Sequence, residues 1–193
     1  VWAQRISYVG ELGFELYVKK ENALKLFDIL MDKGKSFQIS LCGMHAMDIM
    51  RMESGYLHWG HDISPEENQF EAGLSFAVSF KKNINFIGRA ALEKKRDKKE
   101  HKKFKMLILN HSKEGAPLLL HDEPIYLKDK IVGHTTSGCY SFNYNKNLAF
   151  GYINSGLTSD QIDKQAFEIE VEKKKYSASV ITRPLNDKKL GSL

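Results

Sequence analysis

The sequence predicts an α+β chain in which helices and irregular segments come first and a small all-β unit follows. Three observations carry this. Two stretches before residue 56 repeat apolar residues at helical spacing. Six short apolar-rich stretches follow residue 103, separated by turn residues. A charged run, Glu93 to Lys105, lies between the two regions and places a domain boundary near residue 100, dividing the chain into 1–100 and 101–193.

Arg5 to Val9 alternates, breaks at Gly10-Glu11-Leu12-Gly13, and alternates again from Phe14 to Val18. This reads as a hairpin with a four-residue loop. Val9 would then pair with Phe14 and Tyr8 with Glu15, so that Ile6, Tyr8, Glu15 and Tyr17 share one face and Ser7, Val9, Phe14 and Leu16 the other. Asn22 to Lys33 follows as a helix whose stripe is Ala23, Leu24, Phe27, Leu30 and Met31, with Gly34 as its stop. A second helix runs from about Gly43 to Glu53, and its Met44, Met47 and Met50, spaced three apart, read as flexible core packing. Trp59 to Gly73 has turn chemistry, Leu74 to Phe80 reads as a strand, and Ile87 to Lys98 as an increasingly charged helix. The later strands are Phe104–Leu109, Pro124–Leu127, Ile131–Thr136, Leu148–Ile153, Ala166–Val171 and Tyr176–Thr182. Short strands at this spacing predict a small antiparallel barrel or sandwich.

The 193 residues suffice for one large or two small domains, and the net charge is +5. The basic excess sits in runs interleaved with acids and accompanies no nucleic-acid motif, so a solvated surface is expected rather than nucleic-acid binding. No apolar run approaches the length that crosses a bilayer, and a soluble chain without membrane contact is expected. Cys42 and Cys139 show neither metal-ligand spacing nor a disulfide framework, and are expected as free thiols. No nucleophile–base pattern is present around His134 or the following Thr135-Thr136-Ser137-Gly138.

Four segments resemble a known family in order and spacing. They are Tyr8-Val9-Gly10-Glu11-Leu12-Gly13-Phe14-Glu15-Leu16; Ala46-Met47-Asp48-Ile49-Met50-Arg51-Met52-Glu53-Ser54-Gly55-Tyr56, with Trp59-Gly60-His61-Asp62-Ile63; Phe70-Glu71-Ala72-Gly73-Leu74, with Phe86-Ile87-Gly88-Arg89; and Val132-Gly133 with Thr136-Ser137-Gly138 and Ala149-Phe150-Gly151-Tyr152-Ile153. Together they resemble the glycine-cleavage aminomethyltransferase (T-protein) family. The wording of the first two looks like the folate-binding C-terminal part of sarcosine and dimethylglycine dehydrogenases. The resemblance implies the latter part of the folate-binding domain, followed by a C-terminal Greek-key barrel. It also implies that the N-terminal half of the fold is missing, and with it the catalytic aspartate, leaving no catalytic residue in this chain.

By the same resemblance Tyr8 and Glu15 match residues that bind tetrahydrofolate. A carboxylate suits a pterin, whose amino group and neighbouring ring N–H form a donor edge. Phe76 falls where the family places an aromatic next to folate, and packing in a core is an equal reading. The family's arginine before the aspartate is Met47 here, a departure that favours the flavoprotein relatives. Arg51 is retained and would either serve the site or pair with Asp48 or Glu53. Trp59, His61 and Asp62 lie in a loop the family keeps near its central cavity. No Gly-x-Gly-x-x-Gly fingerprint occurs, so FAD would belong to a separate N-terminal domain.

The expectation is a tetrahydrofolate-binding portion of a sarcosine- or dimethylglycine-dehydrogenase-like enzyme. It would take the one-carbon unit of N-methyl amine oxidation as 5,10-methylene-tetrahydrofolate, in the cytoplasm or, in a eukaryote, the mitochondrial matrix. Its partners would be folate and the missing half or a partner chain. The alternatives are a fragment of a stand-alone aminomethyltransferase and a non-catalytic folate- or partner-binding subunit.

Overall fold

The computed structural model describes residues 1–96 and 102–186. The boundary expected near residue 100, the end of the helix expected to reach Lys98 and the middle of the Glu93–Lys105 run lie outside them. The chain forms two compact units, Val1–Tyr56 with Asn186 and Leu57–Leu185.

In the first unit, β1 (Trp2–Gln4) pairs antiparallel with β2 (Glu15–Tyr17), in the register Trp2 to Tyr17, Ala3 to Leu16 and Gln4 to Glu15. Strand β2 thus falls within the expected second strand, but its partner is Trp2–Gln4 rather than Arg5–Val9, and residues 5–14 are the loop. The side chain of Ser7 takes the N–H of Val9 at 3.3 Å, a local bond that competes with strand pairing. Gly10 then turns through φ +71°, packed so tightly that a Cβ would lie 2.0 Å from Ser54 Oγ. Helix α1 (Ala23–Gly34) and helix α2 (Met44–Glu53) follow, close to their expected limits. The expected stripe of α1 buries nothing: Leu24, Phe27 and Leu30 stay exposed. On α2 the buried apolar residue is Met52, whereas Met44 is exposed, which corrects the methionine stripe.

The second unit begins with a tight loop, in which the His58 carbonyl accepts the N–H groups of His61, Asp62 and Ile63. The stretch expected as a strand, Leu74 to Phe80, is instead a 3-10 turn over Ser75–Ala77. Its N–H groups bond three residues back, Ala77 to Leu74 and Val78 to Ser75, which removes them from any ladder. Helix α3 (Arg89–Arg96) follows, and the Arg89 guanidinium donates to the carbonyls of Phe80, Lys82 and Ile84.

The rest is the expected antiparallel barrel, closed in the order β3-β6-β5-β4-β7-β8. Its strands are β3 (Lys103–Leu109), β4 (Pro124–Leu127), β5 (Lys130–Ser141), β6 (Lys146–Ile153), β7 (Ala166–Val171) and β8 (Lys174–Ile181). Three hairpin-connected strands, β4 to β6, return to lie beside β3, which is a Greek key. A short helix, α4 (Ser159–Ile162), enters through a Thr158–Gln161 capping box. Leu107, Leu119, Ile125, Ile153, Phe167 and Ile169 fill the interior. Strand β6 is buried on its outer face as well, where Phe104 packs edge-on against Phe150 and Tyr152. The register of β5 shifts between Thr135 and Ser137, a bulge at Thr136.

Ahead of the barrel, Lys102 donates to Glu67, and Ser64 donates to the same carboxylate through its N–H and hydroxyl. Burial alone would raise the Glu67 carboxyl. The bonds from Lys102 and Ser64, with the Lys102 charge, outweigh it and hold the group below the ordinary 4.5. A depressed carboxyl adds stability above its unfolded pKa and loses it as pH falls through the folded one. Lys102→Met is therefore expected to lower the urea midpoint at neutral pH, with the difference from wild type shrinking as pH drops below 4.5. Paired urea titrations across that range check it.

Candidate functional site

Glu15 sits on the exposed strand β2, where alternation brings Tyr17 to the same face. The Tyr17 hydroxyl donates to Glu15 Oε2 at 2.5 Å. That bond, then the carboxylate charge, then burial, raise the Tyr17 phenol above its ordinary value. Among the described residues, Oε1 of Glu15 carries no hydrogen bond, so the carboxylate keeps acceptor capacity for a donor pair. The residue opposite Glu15 is Gln4, not Tyr8, which corrects the expected pairing.

Tyr8 lies in the loop between the strands, its ring stacked on Tyr56 with centroids 6.1 Å apart and planes 13° from parallel. Arg51 is buried on α2, with Nε bonded to Asp48 Oδ1 at 2.7 Å and Nη1 to the Tyr56 carbonyl at 3.2 Å. Burying a guanidinium demands such partners, and the aspartate one turn earlier supplies the charge. Arg51 and Tyr8 therefore meet at Tyr56, one through its carbonyl and one through its ring. Met47, half-buried, precedes the Asp48 that Arg51 holds. Phe76 belongs to the second unit, on the 3-10 turn, and is 84% exposed rather than packed in a strand.

The second unit holds a polar cluster that sequence reasoning did not single out as such. Asp62 is wholly buried. Its Oδ1 accepts the Thr136 hydroxyl at 2.5 Å and the Ser137 hydroxyl at 2.8 Å, and its Oδ2 accepts the His58 N–H at 2.8 Å. Its backbone carbonyl accepts the buried Tyr152 hydroxyl at 2.8 Å. Burial and the carboxylates Glu67, Asp62 and Glu71 raise the Tyr152 phenol, so it stays a neutral donor. The bulge at Thr136 is what lets consecutive residues, Thr136 and Ser137, both reach Asp62. Asp62 thus ties the His58–Ile63 loop to the barrel. The loop carries the ring pair His58–His61, 4.6 Å apart, and the exposed Trp59, while His121 approaches His61 at 6.5 Å.

Among the described residues no group of three or more His, Cys, Asp or Glu is arranged to hold a metal ion, and no helix is long and apolar enough to cross a membrane. Cys42 is exposed, Cys139 is buried, and both are free thiols. His134 is exposed on β5.

Residues 1–82 match the family model of the GCVT N-terminal domain, and residues 102–187 that of the glycine cleavage T-protein C-terminal barrel domain. Human mitochondrial dimethylglycine dehydrogenase is 37% identical over 188 residues, covering 96% of this chain and 21% of that protein. The 4-methylaminobutanoate oxidase (formaldehyde-forming) of Paenarthrobacter nicotinovorans is 33% identical over 190 residues, covering 97% and 22%. The aminomethyltransferase of Symbiobacterium thermophilum is 37% identical over 149 residues, covering 77% and 39%. The chain thus spans about a fifth of the length of the dehydrogenase and the oxidase. Glycine cleavage system aminomethyltransferase T from Bartonella henselae shares the fold, with a TM-score of 0.80 over 95% of this chain and 49% of that one, at 23% identity. Both family models are matched in chain order, and this chain belongs to the glycine-cleavage T-protein (aminomethyltransferase) family.

Proposed function

We propose that the chain is the tetrahydrofolate-binding portion of a sarcosine- or dimethylglycine-dehydrogenase-like enzyme, in which the one-carbon unit from an N-methyl amine leaves as 5,10-methylene-tetrahydrofolate. The observation that carries this reading is the Glu15 carboxylate, presented on an open strand face with Oε1 unbonded among the described residues. A carboxylate that keeps acceptor sites fits the amino and ring N–H donors of a pterin, and such charge-assisted bonds are the strong kind. Tetrahydrofolate, when bound, supplies the nucleophilic nitrogens that accept the one-carbon unit.

The residues of this chain then bind and orient. Glu15 fixes the pterin edge. Tyr8, steadied by Tyr56 and through it by Arg51, offers an aromatic face. Phe76 stays a separate aromatic candidate on its own exposed turn. We assign no catalytic acid or base to this chain, and FAD to a separate domain. The exposed apolar face of α1 supports a partner for the first unit, either the other half of the transferase fold or a separate chain. The limits of the two family models support domains of 1–100 and 101–193. The mitochondrial dehydrogenase relatives support a matrix location in a eukaryote.

Calorimetric titration of the chain with tetrahydrofolate tests the reading. Wild type is expected to bind saturably, and Glu15→Gln and Glu15→Ala to weaken binding about a hundredfold through two lost charge-assisted bonds. Equal affinity in the variants, or no saturable binding by a chain shown to be folded, overturns it.

A further inference from the structure

We infer that Tyr17 is a positioning residue for ligand binding, holding the Glu15 carboxylate in place through its hydroxyl. The inference rests on the reading of Glu15 as the pterin acceptor and extends the site to a residue that reading does not use.

Four side chains share one face of the β1–β2 hairpin. Trp2 stands opposite Tyr17 and Gln4 opposite Glu15, while Glu15 and Tyr17 are two apart on one strand. The face is open: Trp2 is 63% and Tyr17 48% exposed. An unpaired glutamate on such a face would sample its rotamers freely, and ordering it on binding opposes affinity. Here the Tyr17 hydroxyl bonds Oε2 at 2.5 Å. The Tyr17 ring is in turn held across the strands by Trp2, with centroids 5.1 Å apart and planes at 35°. The donor is therefore itself anchored, and it uses one of several acceptor positions on the carboxylate. Tyr17 leaves Oε1 to a ligand while fixing the plane in which that oxygen lies. The raised Tyr17 phenol is the mark of the same bond.

Tyr17→Phe keeps the ring against Trp2 and removes only the hydroxyl. Calorimetry with tetrahydrofolate is expected to show about fivefold to tenfold weaker binding, with the thermal midpoint unchanged. The second readout is the tyrosinate absorbance of the unliganded chain, taken as wild type minus Tyr17→Phe. It is expected to show a phenol titrating above its ordinary value, returning to that value in a Glu15→Gln background, a response that packing alone does not produce. Unchanged or tighter binding in Tyr17→Phe while Glu15→Gln weakens it overturns this inference and leaves the Glu15 reading intact. So does a Tyr17 phenol that titrates in the ordinary range. Wild-type affinity in Glu15→Gln, or no binding by the folded wild type, overturns the Glu15 reading itself.

Discussion

Gly133→Ala is expected to destabilise the barrel by about 4 kcal/mol, near the upper end of single-substitution effects. Gly133 lies on β5 opposite Ile153 of β6, next to the pair His134–Tyr152. A Cβ at this position would sit 1.8 Å from the Tyr152 carbonyl oxygen, 2.9 Å from its carbon and 3.3 Å from Ile153 Cα. All three are backbone atoms, so no rotamer change relieves the clash and the two strands must separate or shift. The strands cannot slide freely either, because Tyr152 is anchored by its hydroxyl to the Asp62 carbonyl. Urea unfolding followed by Trp59 fluorescence in a Trp2→Phe background reports on the second unit and gives the loss. Gly43→Ala, in the first unit and so followed by Trp2 fluorescence in a Trp59→Phe background, is the control: nothing lies within 4 Å of its Cβ and its φ is −85°. There the loss is expected to stay below about 1 kcal/mol.

Asp62→Ala is expected to cost about 3–4 kcal/mol, chiefly from donors left without an acceptor. The carboxylate takes two hydroxyls and one backbone N–H. Deleting it leaves all three facing a small void from which water is excluded. Asp62→Asn keeps one acceptor oxygen but turns an N–H₂ group toward donors, so an intermediate loss of about 2 kcal/mol is expected. Ser137→Ala removes one donor, leaves the other two bonds intact and is expected to cost about 1 kcal/mol. The ordering Ala, Asn, Ser137→Ala, measured by the same unfolding assay, checks the assignment. A loss for Asp62→Ala no larger than for Ser137→Ala would mean that the cluster does not hold the loop.

The barrel was the most legible part of the molecule. Strands β4 and β7 fall at their expected limits because each is a short alternating run closed by turn residues. Strand β5 was read as ending at Thr136 but continues to Ser141. The bulge there puts an extra residue into the strand and restarts the alternation out of phase, so that the small side chains of Ser137, Cys139 and Ser141 are buried on the outer face that Ser137 shares with Phe150. The first hairpin failed for a different reason. Alternation from Arg5 to Val9 looks like a strand, but the Ser7 side chain and the left-handed Gly10 turn that stretch into a loop, and pairing moves to Trp2–Gln4. Helix α4 had a readable start, Thr158 followed three residues later by Gln161.

Of the candidate site, Glu15 and Arg51 could be picked out along the chain, but their neighbours could not. Tyr17 is two residues from Glu15 and open to the alternation argument, yet the bond between them depends on side-chain geometry that spacing does not carry. Tyr56 lies 48 residues beyond Tyr8 in sequence order and meets it only through the fold. Asp62 is the clearest case. Its partners Thr136 and Ser137 are 74 and 75 positions away, and nothing around Asp62 marks it as buried.

The closure of the barrel between its first and last strands has a consequence for synthesis. Strand β3 pairs on one side with β6 and on the other with β8, Met106 standing opposite Ile181. The hairpins β4–β5 and β5–β6 join sequence neighbours and need little chain search, whereas the β3–β8 seam joins distant segments and carries the loop-entropy barrier. During translation the strands up to β7 therefore leave the ribosome with unpaired strand edges, open to wrong partners until β8 follows. Strand β8, far from Glu15 in sequence, decides when the barrel becomes a closed body.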